Sequence, residues 1–283
     1  MLERIYISRR GDAGWNVGRL LFIPISFAVV LGCALVTGGL TIWHRATEFT
    51  EEETMGDAKH SVRFPGESES YRNARNELIA AEAELRKNIE AVAAKRRGLP
   101  LGGKPPEDYV FQEIGDDSAV RKTRLSELFS EGKDTLIIYS YMYGPRMAQP
   151  CPNCTSILDA LDGEVPHVTQ RTNLAVIAKS PITRINEFAK ARDWRNLRLL
   201  SSADCSYNID YHAEGPDGEQ SVALNVFIRR DGAIHHFYGA ELQFSASLPG
   251  QDPRHVDLIW PLWNLLDLTP EGRGEKWHPS ISY

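Results

Sequence analysis

Gln149-Pro150-Cys151-Pro152-Asn153-Cys154 decides how this chain folds. Before it lies an apolar run at 136–143, rich in β-branched and aromatic residues, which predicts a buried strand. After it, residues 155–161 predict the start of a helix. A strand that feeds two cysteines into the first turn of a helix is a specific arrangement. The helix N-terminus carries unpaired backbone N–H groups and a partial positive charge, and both favour a thiolate over a thiol. Cys151 falls at the N-cap and Pro152 at the first helical position, where a missing N–H costs nothing. Cys154 follows one turn later on the same face, a spacing that suits a bond that forms and breaks.

Redox chemistry is therefore the expected use of the pair, because C-x-x-C beside a β-α pattern has that mechanism. A silent buried pair and a structural zinc site are the alternatives. Zinc needs four ligands, but Cys33 and Cys205 stand alone and no His-x3-His follows. No metal and no cofactor is expected.

Downstream, apolar strands are predicted at 172–179 and 197–201. Ser180-Pro181 between them predicts a helix with a serine N-cap, its inner face formed by Ile182, Ile185, Phe188 and Ala189. Strands at 222–229 and 233–238 meet at Asp231-Gly232, a strong hairpin signal. A last helix is expected within 255–266, with Pro261 bending it or setting its start later. The order is β, α, β, α, β, then a β-hairpin and α. That order predicts an α/β fold of thioredoxin-like type, a three-layer sandwich with a mixed sheet over 105–273. The cysteines lie at the C-terminal end of the first central strand, where open α/β sheets place their sites.

Upstream, a short strand is expected at 109–111 and a helical turn at 125–129. Residues 67–97 predict a long amphipathic helix with Tyr71, Ala74, Leu78, Ala81, Leu85, Ile89 and Val92 on one stripe. Packing along the domain is one expectation for that stripe; a homodimer contact or a stalk is the other. Residues 44–66 read as a linker. Residues 20–43 contain no charge; as a helix they would span about 36 Å, enough to cross a hydrocarbon core of about 30 Å. Arginines in the 1–19 tail and glutamates beyond the run predict a membrane anchor, with the N-terminus cytoplasmic and the C-terminal domain outside. A translation start at Met55 would instead make the remainder a cytoplasmic protein. The net charge of −6 over 283 residues argues against a nucleic-acid partner.

The segment from Val110 to Cys154 resembles the alkyl hydroperoxide reductase and thiol-specific antioxidant branch of the thioredoxin superfamily, through Leu125-Ser126-Glu127-Leu128-Phe129 and Cys151-Pro152. From Arg72 onward the chain resembles the thioredoxin-like family catalogued as domain of unknown function 899. That resemblance rests on Ala94-Lys95-Arg96-Arg97-Gly98-Leu99-Pro100, Asp108-Tyr109-Val110-Phe111, Met142-Tyr143-Gly144-Pro145, Cys151-Pro152-Asn153-Cys154 and Leu266-Asp267-Leu268-Thr269-Pro270-Glu271-Gly272-Arg273. It implies the fold and leaves the reaction open. Thioredoxins place a cis-proline before the strand facing their cysteines, where this chain has Gln220-Ser221-Val222. Peroxiredoxins carry Thr or Ser three residues before the reactive cysteine, where this chain has Ala148.

Three functions follow. In a thiol–disulfide oxidoreductase, Cys151 attacks, supported by Pro152 and Arg146, and Cys154 resolves. In a thiol peroxidase, Cys151 becomes a sulfenic acid on which Cys154 condenses. The third is a non-catalytic thioredoxin-like binding module. The partner in the first two is a protein or small-molecule thiol or disulfide. Cys205 as a second resolving thiol, Asp204 as a base and His235 or His236 as a base are secondary candidates, while Trp260 and Trp263 read as core.

Overall fold

The computed structural model describes residues 62–244, 246, 249, 257–274 and 277–282. The expected tail at 1–19, the spanning run at 20–43, most of the 44–66 linker, Cys33 and Met55 lie outside the described residues. Among the described residues, no helix is long and apolar enough to cross a membrane.

Helix α1 (Glu69–Arg97) opens on Ser68, whose hydroxyl accepts from the Tyr71 N–H, and ends on a basic last turn. Its stripe does not pack along the domain: Tyr71, Leu78, Leu85, Ile89 and Val92 stay 44–60% exposed. Only Arg72 is buried, paired with Glu67, and Arg96 lies over the Tyr238 ring at 5.2 Å. The alanines between the larger residues leave the stripe too thin to compete for core.

Strands β1 (Val110–Ile114), β2 (Val120–Arg124), β3 (Thr135–Ser140), β4 (Asn173–Ala178), β5 (Leu199–Ser201), β6 (Ala223–Arg230) and β7 (Ala233–Gly239) form one mixed sheet. Its order is β2-β1-β5-β4-β3-β6-β7. β3, β4 and β5 are parallel; β6 runs antiparallel to β3, and β7 to β6. Helix α2 (Pro152–Val168) connects β3 to β4, and α3 (Ile182–Ala191) connects β4 to β5. A short α4 (Tyr207–Asp210) and a final α5 (Pro261–Leu266) complete the chain, with Pro261 at the start of α5. A parallel β-α-β unit extended by a hairpin and a helix is the expected thioredoxin-like arrangement.

Period-two alternation divides β3 between two cores. Leu136 and Ile138 join Phe111, Leu125, Leu128, Tyr207 and Phe227 on one face. Tyr139 and Tyr141 join Ile157, Leu158, Ile182, Ile185, Trp260 and Trp263 on the other. Helices α2, α3 and α5 thus share a face, and the opposite layer is thin, built from α4 and the 3-10 turn Leu125–Leu128. Trp260 and Trp263 are core, as expected, and meet edge to face at 5.0 Å.

The hairpin turn behaves as its sequence dictates. Asp231 and Gly232 both take positive φ, 52° and 75°, the geometry of a two-residue turn matched to strand twist. Two details differ from expectation. β2 is nearly all polar and mostly exposed, so it carries no apolar pattern; it exists because β1 pairs with it from Val110↔Arg124 to Ile114↔Val120. Ser180 does not cap α3. Pro181 occupies the N-cap, and the buried Ser180 hydroxyl donates to the Gly144 carbonyl at 3.1 Å, tying β4 to the loop that leads to the cysteines.

Candidate redox site

That loop, 144–150, is held from several sides before it reaches Cys151. The Cys151 N–H donates to the Met142 carbonyl at 3.0 Å, so the chain doubles back at the end of β3. Arg184 on α3 donates to the carbonyls of Ala148 (2.9 Å) and Met147, and lies 4.7 Å over the Tyr143 ring. Gln220 packs against Gly144 so closely that an added Cβ would lie 2.7 Å from Gln220 Cγ and push that side chain aside. No cis peptide bond occurs among the described residues, and Gln220-Ser221-Val222 precedes β6 without a proline.

Cys151 is the N-cap of α2 and Pro152 its first residue, as the spacing predicts. Cys154 lies on the inner face of the first turn. Both are free thiols, with Cys151 half-buried and Cys154 1% exposed. No backbone N–H closes a full hydrogen bond onto Cys151 Sγ, yet the Asn153 and Cys154 N–H groups point towards it closely enough to favour the anion.

The two sulfurs are driven apart in acidity. The Cys151 thiol is lowered to about 6 from an ordinary 9.0, first by the hydrogen bond that Cys154 donates; burial opposes this, and the helix N–H groups and His278 assist. Cys154 is pushed well above the ordinary thiol range, first because its proton is held by Cys151, then by burial. The Tyr139 hydroxyl and the Met142 N–H act on Cys154 in the opposite direction. The arrangement sets a half-buried thiol of lowered pKa beside a buried partner that keeps its proton.

Other expected residues are placed elsewhere. Arg146 is engaged elsewhere, donating to the Asp217 carbonyl, and the charged side chain that assists in lowering Cys151 is His278. Cys205 packs against the core on the opposite face of the sheet from Cys151, its carbonyl accepting from Lys179 at 2.9 Å and its thiol pushed up by burial. Asp204 accepts from Gln112 at 2.6 Å. His235 meets the Gly102 carbonyl at 3.1 Å, and His236 meets Asn225 Oδ1 at 2.9 Å with its pKa lowered by burial. A cavity of about 600 Å³ lined by Asp210, Tyr211, Asn225, His236 and Glu241 includes neither thiol. Among the described residues, no cluster of His, Cys, Asp or Glu could hold a metal.

Tyr139, Arg184 and His278 were not legible as site residues. Tyr139 shows only as one apolar position in a strand, Arg184 as a surface charge on a helix, and His278 stands far along the chain.

Solved structures with a similar outline include thioredoxin peroxidase I of Plasmodium yoelii, at 16% identity and TM-score 0.38, covering 64% of this chain and all of that one. A reduced 2-Cys peroxiredoxin of Plasmodium vivax matches at 18% and 0.39 over 59% of this chain and 96% of its own. The exposed lipoprotein thioredoxin Etrx1 of Streptococcus pneumoniae matches at 12% and 0.34 over 54% and 98%. No curated protein matches the chain. Residues 61–283, most of the chain, match the model of a family described as "Bacterial protein of unknown function (DUF899)", and the protein belongs to that family.

Proposed function

We propose that the protein is a thiol–disulfide oxidoreductase that reduces a disulfide with the Cys151–Cys154 pair. The asymmetry of the two thiols carries this reading: a half-exposed sulfur ionised above pH about 6 lies beside a buried, protonated one. Thiolate Cys151 attacks one sulfur of the substrate disulfide, forming a mixed disulfide and expelling the other sulfur as a thiolate. Cys154 loses its proton and attacks Cys151 Sγ. The second substrate thiolate leaves, the protein is left as the Cys151–Cys154 disulfide, and two electrons have passed to substrate. An external dithiol returns the pair to its starting state.

Ala148 stands where peroxiredoxins have a hydroxyl, and its carbonyl is taken by Arg184, so no side-chain donor at that position awaits a peroxide. The uncharged run at 20–43, with arginines before it and glutamates after it, supports a tethered enzyme working outside the cytoplasm.

Insulin reduction by dithiothreitol, followed by turbidity alongside hydrogen peroxide consumption by the same sample, tests the reaction. Catalysed insulin reduction without peroxide turnover is the expected result. Rapid peroxide consumption without insulin reduction would assign the pair to a thiol peroxidase instead.

A further inference from the structure

The second half of that reaction has an unsolved step, the ionisation of a thiol that is 1% exposed. A buried carboxylate could take its proton, but the only buried one among the described residues is Glu113. Glu113 is bound to Arg198 and Thr123, and its strand β1 stands three strands from β3, about 14 Å at ordinary strand spacing. The groups that act on Cys154 from outside the pair come from the end of β3 and the residues just after it. Tyr139 and Tyr141 point to the same side as α2, each is 1% exposed, and neither hydroxyl closes a hydrogen bond. Two buried hydroxyls without partners are costly, and such groups in a core call for a reason. Tyr139, Tyr141 and Cys154 pack in the same core cluster, and of the two hydroxyls it is that of Tyr139 that acts on Cys154 as a hydrogen-bond donor.

Resting on the oxidoreductase reading, we propose that Tyr139 is a catalytic hydrogen-bond donor of the resolving step, its O–H holding the Cys154 sulfur while that sulfur is a thiolate. The hydroxyl itself stays protonated, because burial and then the neighbouring sulfur both oppose its ionisation. It therefore keeps a proton to offer, as does the Met142 N–H. Until substrate arrives, Cys154 is kept protonated chiefly by Cys151. Attack on substrate converts Cys151 to a neutral disulfide sulfur and removes that restraint. The first substrate thiolate leaves, and the Cys154 proton passes to it or, where that thiolate is too weak a base, to solvent. Cys154, now an anion held by Tyr139 and Met142, attacks Cys151 Sγ, and the second substrate thiolate departs. Charge and protons balance at each stage, and the donor pair acts only after the first bond has formed.

Stopped-flow reaction of the reduced full-length protein with Ellman's reagent, with Cys33 and Cys205 replaced by Ser throughout, separates the steps. The first coloured thiolate reports attack by Cys151, and the second reports resolution by Cys154. Tyr139→Phe should leave the first phase and its pH midpoint unchanged and slow the second by about 10- to 100-fold, the worth of a hydrogen bond to a charged group. Tyr141→Phe, equally buried and equally unpartnered, should leave both phases unchanged. Removing an unpartnered hydroxyl without changing shape leaves the fold intact. A second phase in Tyr139→Phe at the wild-type rate, or an equal slowing of both phases, would overturn the role of Tyr139 while the oxidoreductase stands. A wild-type protein that releases a single equivalent and holds the adduct would overturn both.

Discussion

Cys151→Ser will lower disulfide reduction by at least about 10³-fold, because the reaction begins with a nucleophile that no neighbouring group replaces. Cys154 cannot take over from its buried position, and Cys205 packs on the other side of the sheet. Cys154→Ser will behave differently. It retains the attacking thiolate, loses the resolving one, and should accumulate as a covalent adduct with the substrate. Mass spectrometry of each variant after exposure to an oxidised protein substrate reads both outcomes. Equal loss without any adduct in Cys154→Ser would mean that the buried thiol is needed for attack rather than for release.

The largest effect on stability is expected from Phe227→Ala, at about 3–5 kcal/mol. Phe227 is fully buried on β6, opposite Leu136 of β3, and its ring meets Tyr211 at 5.1 Å and His236 at 5.5 Å. The thin layer over this face has no long helix that could settle into the space, so the cavity would persist. Urea unfolding of wild type and variant checks this; a loss below about 1 kcal/mol would mean that the face collapses and repacks. The redox site lies on the other side of the sheet, so the ionisation of Cys151 in the folded variant should match wild type.

Much of this architecture could be read from residue patterns alone. β3, β4 and β6 are apolar runs bounded by turn residues, and Asp231-Gly232 admits little but a tight hairpin turn. Cys151-Pro152 reads as a helix start because a proline at the first helical position and a polarisable side chain at the cap satisfy a helix end. What the chain conceals is whatever depends on a partner remote in sequence. β2 has strand geometry because β1 offers it a ladder, not because Val120-Arg121-Lys122-Thr123-Arg124 favours one. Ser180-Pro181 carries a good capping signal, yet tertiary pairing with Gly144 takes the serine away. Arg146 and Arg184 cannot be told apart as loop or helix cations; folding turns the first towards Asp217 and the second onto the loop that leads to the thiols. The long stripe on α1 reads as a packing surface, but its alanines bury little, and the structure leaves it open to solvent.

The central claim is that the fold ionises one sulfur and silences the other. Alkylation of the reduced protein by iodoacetamide across pH, with modification of each cysteine followed by peptide mass spectrometry, measures this directly. Thiolate is the reactive form, so the Cys151 rate should rise through a midpoint near pH 6 and level off above it, three units below an ordinary thiol, while Cys154 stays unmodified until the protein is unfolded. A Cys151 midpoint near 9, or equal modification of both cysteines in the folded protein, would contradict the account.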